Sequence, residues 1–239
     1  MANITQRGFK ISEKIEHNPY SGKIIAVAIP KGGVGKSALS INIAPEVKPD
    51  NFYDTDQTPA VSTFNGFRPV ETQWHVIRLK SGVDSAEKFA EDLLTAKEEG
   101  KTVLVDCGGF DSAITRTAVA IADLILSPFH DDPSDLLGVQ LFSDALNEIS
   151  REMGTKITAH LVMYKTHPSR TNFKAIDAHL AQFDNLKRLD TPIPRDNLVP
   201  EKFGEGIGVV EHLSSRHSKA GIAFRSLFLD IRKVLDQQK

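Results

Sequence analysis

Apolar and polar residues along the chain alternate between two patterns. Short runs rich in Ile, Val and Leu at residues 23–29 and 102–105 are typical of buried β-strands. Residues 84–99 instead repeat apolar side chains with helical spacing, and Asp84 and Glu87 have the spacing of a capping box. Strands that alternate with helices predict an α/β fold, in which a mostly parallel sheet carries helices on both faces.

The same patterns predict the remaining elements. Strands are expected at 52–54, 123–128, 156–163 and 187–190, and helices at 34–44, 132–152, 112–122, 171–183 and 218–237. Pro45 and Pro49 are expected to end the first of these helices. Residues 1–22 are polar and aperiodic and predict a flexible N-terminal arm, followed by one domain over residues 23–239.

Composition narrows the class of protein. The chain has 239 residues, of which 40% are hydrophobic, and this is enough for one large core. Cys107 is the one cysteine, so no disulfide forms within the chain and no Cys/His metal cluster is possible. The longest apolar stretch, residues 24–30, is too short to span a bilayer, and no signal peptide is visible. A cytoplasmic protein is therefore expected.

A glycine-rich segment follows the first predicted strand. Residues 29–37 read IPKGGVGKS, so a strand, a glycine turn and a helix follow one another. Such a turn forms an anion site, because backbone N–H groups and the helix N-terminus point at bound phosphates. Lys36 is expected to reach the β and γ phosphates of a nucleotide, and Ser37 to offer its hydroxyl to Mg²⁺. The alternative is a glycine turn that happens to lie between two lysines.

Lys31 has no evident task in a monomer, because Lys36 already neutralises the phosphates. It could act in trans on the phosphates of a neighbouring subunit, or it could be a solvated surface lysine. The heptapeptide K-G-G-V-G-K-S resembles the deviant Walker A motif of the ParA/MinD family of ATPases, whose first lysine crosses the dimer interface. The resemblance covers roughly residues 23–235 and implies ATP and Mg²⁺ as cofactors and a homodimer in the ATP state. It implies these nucleotide-binding residues: Lys31, Gly32, Gly33, Val34, Gly35, Lys36, Ser37 and Ala38.

Carboxylates at two predicted strand ends would complete such a site. The segment D-T-D-Q, residues 54–57, resembles the family's D-x-D-P-Q segment, in which the second aspartate positions the hydrolytic water. Residues 103–109, VLVDCGG, have the form of a Walker B strand that ends at an aspartate. Each aspartate could otherwise serve a polar turn at a strand end. The resemblance implies Lys31, Lys36 and Asp56 as catalytic residues and Ser37, Asp56 and Asp106 as metal ligands.

Residues 191–196, TPIPRD, resemble the family segment near the adenine and imply Pro194 and Arg195 as base contacts, although an ordinary proline turn is the alternative. The chain departs from the family pattern at four places. The proline that usually follows Asp56 is missing, and the stretch between Lys36 and Asp54 is several residues shorter than usual. Ala38 replaces the usual threonine, and Cys107-Gly108-Gly109 stands where two prolines are common. Cys107 is expected to be a packing residue.

The two parts of the chain differ in charge. Residues 1–150 carry 14 Lys and Arg against 21 Asp and Glu, a net charge of −7, whereas residues 151–239 carry 15 against 10, a net charge of +5. This is either chance or a basic face for a polyanion. By resemblance, Arg216 and Lys219 lie where partition members of the family carry DNA-contacting residues. The final helix could lie on a membrane, but packing on the sheet is favoured.

The favoured hypothesis is an ATP-dependent dimeric switch in plasmid or chromosome partition, which binds non-specific DNA on the bacterial nucleoid and is stimulated by a ParB-like partner. The alternative is an accessory ATPase for conjugal transfer or polar positioning that acts through protein or membrane contacts. A third possibility is a nucleotide-bound scaffold without enzymatic activity, motivated by Ala38.

Overall fold

A computed structural model of the chain describes residues 18–110, 112–130 and 133–237. The strands are β1 (Ile24–Val27), β2 (Asn51–Asp54), β3 (Val76–Arg78), β4 (Val103–Asp106), β5 (Leu124–Phe129), β6 (Ala159–Thr166), β7 (Leu186–Arg188) and β8 (Ile193–Pro194). The helices are α1 (Lys36–Val47), α2 (Ala60–Phe67), α3 (Ala86–Glu98), α4 (Ala113–Ile121), α5 (Pro133–Met153), α6 (Lys174–Leu180), α7 (Leu198–Phe203) and α8 (Lys219–Asp236), and a short 3-10 turn lies at Val70–Thr72.

The strands form one sheet in the order β3-β2-β4-β1-β5-β6-β7, and β8 pairs with β6 beyond a bulge between Tyr164 and Thr166. Every pairing among the described strands is parallel. The carboxyl ends of all strands therefore meet at one edge, and β1 lies in the middle of the sheet. In open α/β sheets this edge is where ligands bind.

Both faces of the sheet are buried under helices, as the sequence predicts. Successive residues of β1 alternate between two cores: Ile24 and Ala26 face the helices α3 to α6, whereas Ile25 and Val27 face α1, α2 and α8. This is the period of two that a strand imposes on its side chains. The α/β fold with a single, parallel sheet is confirmed.

The C-terminal helix α8 packs on the sheet. Its apolar stripe is fully buried at Phe224, Leu227 and Ile231. Packing was the favoured prediction for this stripe over a membrane surface. In the part of the chain that the structure describes, no helix is both long and apolar enough to cross a membrane.

Several local predictions need correction. Ser85, not Asp84, caps α3, because the Ser85 side chain accepts a hydrogen bond from the Lys88 backbone N–H. Pro45 does not end α1, which continues to Val47, since a proline near the last turn removes one hydrogen bond without displacing the helix end.

The boundary of the predicted N-terminal arm also differs. Residues 1–17 and Asp132, the predicted start of α5, lie outside the described residues. Tyr20, within the predicted arm, is 1% exposed, and its carbonyl accepts a hydrogen bond from the Thr102 hydroxyl. The last residues of the arm are therefore packed onto the domain. The elements α2, β3, α7 and β8 do not appear among the predicted ones.

Candidate functional site

The glycine-rich loop joins β1 to α1 at the carboxyl edge of the sheet. Gly33 and Gly35 have φ angles of 75° and 105°, a region that only glycine enters at no steric cost. A Cβ at Gly35 would also lie 2.5 Å from the Tyr164 ring. The Val34 side chain is buried in the core and fixes the loop, whereas Gly32 and Gly33 remain exposed. The loop thus exposes its backbone to solvent, while its buried valine side chain holds it against the core.

The two lysines of this loop differ in their surroundings. Lys36 is only 8% exposed, and its Nζ donates a hydrogen bond to the Lys31 carbonyl over 3.4 Å. Its ammonium group therefore folds back over the loop, where bound phosphates would lie. The Lys31 side chain is exposed. The structure thus places Lys31 at the surface and Lys36 inside its own loop.

Asp106 ends β4 beneath the first turn of α1. Its Oδ1 accepts a hydrogen bond from the Ser40 hydroxyl over 2.8 Å. Its Oδ2 is buried and has no partner with hydrogen-bond geometry within the described residues. Burial raises the pKa of Asp106 to about 7, and the Ser37 and Ser40 hydroxyls partly oppose that rise. A buried carboxylate oxygen without a partner costs free energy. A cation bound between this oxygen and the serine hydroxyl would remove that cost.

The Asp106 carboxylate and the Ser37 hydroxyl fit Mg²⁺, which takes one or two carboxylates and completes its shell with phosphate and water oxygens. The described residues contain no group of three or more His, Cys, Asp or Glu side chains that could hold a metal alone. Asp106 and Ser37 would therefore hold the cation together with a bound nucleotide. Ser40 is a member of the cluster that sequence reasoning missed, although it lies one helical turn after Lys36 on the same face of α1.

The loop after β2 carries Asp56 and is fastened to the end of β4. The Thr55 backbone N–H and hydroxyl both donate to the Asp106 carbonyl, at 3.0 and 3.1 Å. The Gly108 N–H donates to the Thr55 hydroxyl over 3.1 Å. A Cβ at Gly108 would lie 2.6 Å from the Thr55 carbonyl oxygen. Gly108, where the family commonly has proline, thus permits a close approach between the two loops.

Asp54 and Asp56 have different tasks. Asp54 is fully buried, and its Oδ2 accepts hydrogen bonds from the Ser62 N–H and hydroxyl at 2.9 and 2.6 Å, which anchors the first turn of α2. Asp56 is half-buried, and its Oδ1 accepts a hydrogen bond from the Thr58 N–H. Asp56 is thus more accessible than Asp54, and its role in orienting water stays a prediction.

Arg78 supports the Asp56 loop from β3 and was missed by sequence reasoning. Its NH2 group donates to the carbonyls of Asp56 and Gln57, at 3.2 and 2.9 Å. Its NH1 group lies 3.9 Å from the Asp54 carboxylate. The three-residue strand β3 has too little pattern to be recognised, so no signal in the sequence connects Arg78 with this loop.

A pocket of about 460 Å³ opens beside the glycine loop, and its lining is mostly apolar. Ala38, Pro194 and Arg195 all line it, so the structure brings these predicted residues together. This base pocket is also lined by Asn42, Phe64, Tyr164, Phe203 and Ile207. Tyr164 also touches Gly35, which makes the base pocket continuous with the phosphate loop.

The two residues predicted to contact DNA lie outside this cluster, where α8 begins. Lys219 is exposed as the first residue of α8, and Arg216 is half-buried with an Nε atom that finds no hydrogen-bond partner in the described ranges. The start of α8 is nevertheless tied to the base pocket. The Asp196 carboxylate, at the edge of that pocket, accepts hydrogen bonds from the Leu198 and Ala220 N–H groups.

The chain is similar to known proteins both in its sequence and in its fold. No family model matches the chain. A curated relative, the maintenance of carboxysome distribution protein A of Halothiobacillus neapolitanus, is 26% identical over 217 residues, which cover 89% of this chain and 94% of the relative. The structure of Cyanothece apo McdA aligns with a TM-score of 0.68 at 12% identity and covers 87% of this chain and 99% of that chain. These findings support the resemblance of this chain to the ParA/MinD family.

Two further structures show the same ParA/MinD fold. The septum site-determining protein MinD of Pyrococcus horikoshii, complexed with Mg-ADP, has a TM-score of 0.60 at 18% identity over 91% of this chain and 96% of its own. A putative plasmid partition protein of Borrelia burgdorferi, bound to AMPPNP, has a TM-score of 0.59 at 15% identity over 88% and 98%. At such identities these structures establish the fold, and the resemblance to the ParA/MinD family seen in the loop residues is confirmed as a likeness of fold and sequence.

Proposed function

We propose that this chain is a Mg²⁺-dependent ATPase that works as a dimeric switch and positions a cargo over DNA. The observation that carries the proposal is the convergence at one sheet edge of the deviant loop, the orphaned Asp106 carboxylate and a base pocket. Each part suits one portion of a nucleoside triphosphate. The nucleotides named for the similar structures, Mg-ADP and AMPPNP, support ATP and Mg²⁺ as the ligands.

Each residue has a task in this proposal. The loop amides and Lys36 hold the phosphates, and Ser37 and Asp106 hold Mg²⁺, which neutralises phosphate charge when bound. Pro194 and Arg195 lie against the base, and Asp56 orients the attacking water. Lys31 is exposed and would act on the nucleotide of the second subunit. ATP would then hold the homodimer together, and hydrolysis would release it.

The cargo is the finer part of the proposal. Partition of a DNA element with a ParB-like partner is favoured, because residues 151–239 are basic and Arg216 and Lys219 lie together where α8 begins. A dimer would double this basic surface and its release of counterions from the nucleoid. Positioning of a protein body is the second candidate, and it is favoured by the curated relative that is named for carboxysome distribution.

The test is binding to an arbitrary DNA duplex at moderate salt, with Mg²⁺ and ATP, ADP or no nucleotide. Binding is expected only with ATP, and it should be lost in Lys31→Ala and in Arg216→Ala. Lys156→Ala is the control, because it removes an exposed lysine at the opposite edge of the sheet, paired with Asp184. DNA binding that ignores the nucleotide would contradict the switch.

The two cargo classes separate in the same experiment. If ATP drives dimers that hydrolyse ATP but bind no DNA, positioning through protein contacts replaces DNA partition. If Lys31→Ala still dimerises with ATP and hydrolyses it at the wild-type rate, the role of Lys31 in trans is wrong. Phosphate release that depends on Asp56 would exclude a scaffold without enzymatic activity.

A further inference from the structure

An ion pair joins two segments that are far apart in the sequence, at the end of α2 and in the loop before α8. The Arg68 guanidinium donates two hydrogen bonds to the Glu211 carboxylate, each 2.8 Å long. The same guanidinium donates to the carbonyls of Thr72 and Gly206 and lies over the Trp74 ring at 4.1 Å. Arg68 is 7% exposed, whereas the Glu211 side chain keeps 25% of its surface exposed, so the arginine end of the bridge is buried and the carboxylate end meets water.

A partly buried ion pair adds little net stability to a fold, because desolvation of the buried guanidinium offsets much of the attraction between the two charges. The geometry here is nonetheless nearly complete, with a fork on both carboxylate oxygens and a stacked aromatic ring. Such a pair contributes most by fixing one relative position of the two segments it joins.

The segment on the Glu211 side forms one wall of the base pocket. Phe203 and Ile207 line that pocket, and the Glu211 carboxylate also accepts a hydrogen bond from the Gly208 N–H. The next N–H, of Val209, donates to the Asn42 side chain, which lines the pocket from α1. Residues 206–209 therefore hold the pocket wall at a fixed distance from the helix that follows the phosphate loop.

The segment on the Arg68 side is the end of α2. Phe64 on this helix faces the base pocket, and its ring packs against the Phe203 ring at 5.2 Å. There is no space for adjustment at this point, since a Cβ on Gly206 would lie 2.5 Å from the Phe67 carbonyl carbon. At its other end α2 is held by Asp54, just before the loop that carries Asp56.

We propose that Arg68 and Glu211 are positioning residues that fasten the base-pocket wall to α2, so that a bound base steadies the Asp56 loop. The inference rests on the proposed ATPase function. A base between Ile207, Phe203 and Phe64 would press on the wall and on α2 together. The bridge makes the two move as one body, and α2 carries the effect to the loop that positions water.

The test compares two ligands that share the phosphates but not the base. Binding and hydrolysis of Mg-ATP and of Mg-tripolyphosphate are measured in the wild type, Arg68→Met and Glu211→Gln. Methionine keeps an apolar stem over Trp74, and glutamine keeps an acceptor for Gly208. Both variants should weaken ATP binding roughly tenfold while leaving tripolyphosphate binding unchanged. The advantage in kcat of ATP over tripolyphosphate should shrink by a similar factor.

A merely structural role would affect both ligands equally. Lys156→Met, which breaks an exposed ion pair far from the pocket, is the matched control and should leave the binding and hydrolysis of both ligands unchanged. Urea unfolding of each variant shows whether the fold is retained, and Glu211→Gln is the milder change if Arg68→Met is not folded. Equal losses for both ligands, or no loss for either, would overturn the inference. If the wild type binds neither ligand, it is the proposed function that fails.

Discussion

The phosphate side and the base side of the site are assembled from different kinds of contact. On the phosphate side, the loop and the Asp56 and Asp106 segments lie at the ends of buried strands, and the bonds between the last two segments each have a backbone N–H or carbonyl on at least one side. On the base side, the pocket takes residues from α1, α2, β6, β8 and α7, joined mostly through side chains. Each phosphate-side segment is positioned by the strand it follows, and the segments are then joined across 51 and 53 positions of the sequence. The base pocket, in contrast, is formed by packing between helices and strands.

The two sides should therefore respond differently to amino-acid substitutions. A glycine or aspartate at a strand end is fixed by the strand itself, so the phosphate side fails at single residues. The base pocket spreads its contacts over many apolar side chains and depends on how helices are held together. Gly35 and Tyr164 touch at the junction, so the two sides share one boundary. Changes on either side should therefore be separable by ligands that lack the base.

The largest effect is expected at Lys36. Lys36→Met removes the charge that folds back over the loop, so ATP and tripolyphosphate should both bind at least about 100-fold more weakly. Phe64→Ala on the base side should weaken ATP alone. Isothermal titration with both ligands checks the contrast. Loss of tripolyphosphate binding in Phe64→Ala would show that the two sides are not separable.

A second effect should appear at two adjacent glycines. Gly108→Ala would drive a Cβ to 2.6 Å from the Thr55 carbonyl and should lower the free energy of unfolding by about 2 kcal/mol. Gly109→Ala meets no atom of the described residues within 4 Å and should change it by less than about 0.5 kcal/mol. Urea unfolding measures both. Similar values for the two variants would contradict a close contact between the Thr55 and Gly108 loops.

The same division explains what the sequence could predict. The buried strands, the glycine loop and Asp106 are recognisable because runs of Ile and Val, and glycines with positive φ, leave a local pattern. The helix α2 escaped prediction because Pro59 and Gly66 make residues 54–69 resemble a loop. Its stability comes from Asp54, Phe203 and Glu211, which lie outside the helix itself. No local pattern could reveal such partners.

A smaller effect is expected at Arg78, on the phosphate side, where the rate and the affinity for ATP should respond differently. Arg78→Met removes the donors to the Asp56 and Gln57 carbonyls, so kcat for ATP should fall roughly tenfold while the Kd for ATP stays the same. Arg78→Lys should restore part of the rate. Lys80→Met is a matched control on an exposed neighbour. An equal change in Kd and kcat would mean that Arg78 supports the whole site rather than the Asp56 loop.

The smallest effect lies at the opposite end of the sheet from both sides of the site. His160, at the start of β6, is 7% exposed, and its register partner on β7 is Lys187. Burial, followed by the Lys187 charge, lowers the pKa of His160 to about 4. Because the folded state then binds the proton more weakly than the unfolded state, stability is lost as the pH falls below about 6.5 towards 4.

The corresponding prediction is a change in acid sensitivity without a change in ligand binding. His160→Gln should reduce the loss of unfolding free energy between pH 7.5 and 5.5 by about 1 kcal/mol. His217→Gln, an exposed histidine, is the control. Urea unfolding at both pH values measures the difference. ATP binding at pH 7.5 should be the same in His160→Gln and in the wild type, because the carboxyl edge of the sheet is untouched. A weaker ATP affinity in that variant would mean that the starts of the strands and the site respond together, and that the phosphate side is less local than its backbone contacts indicate.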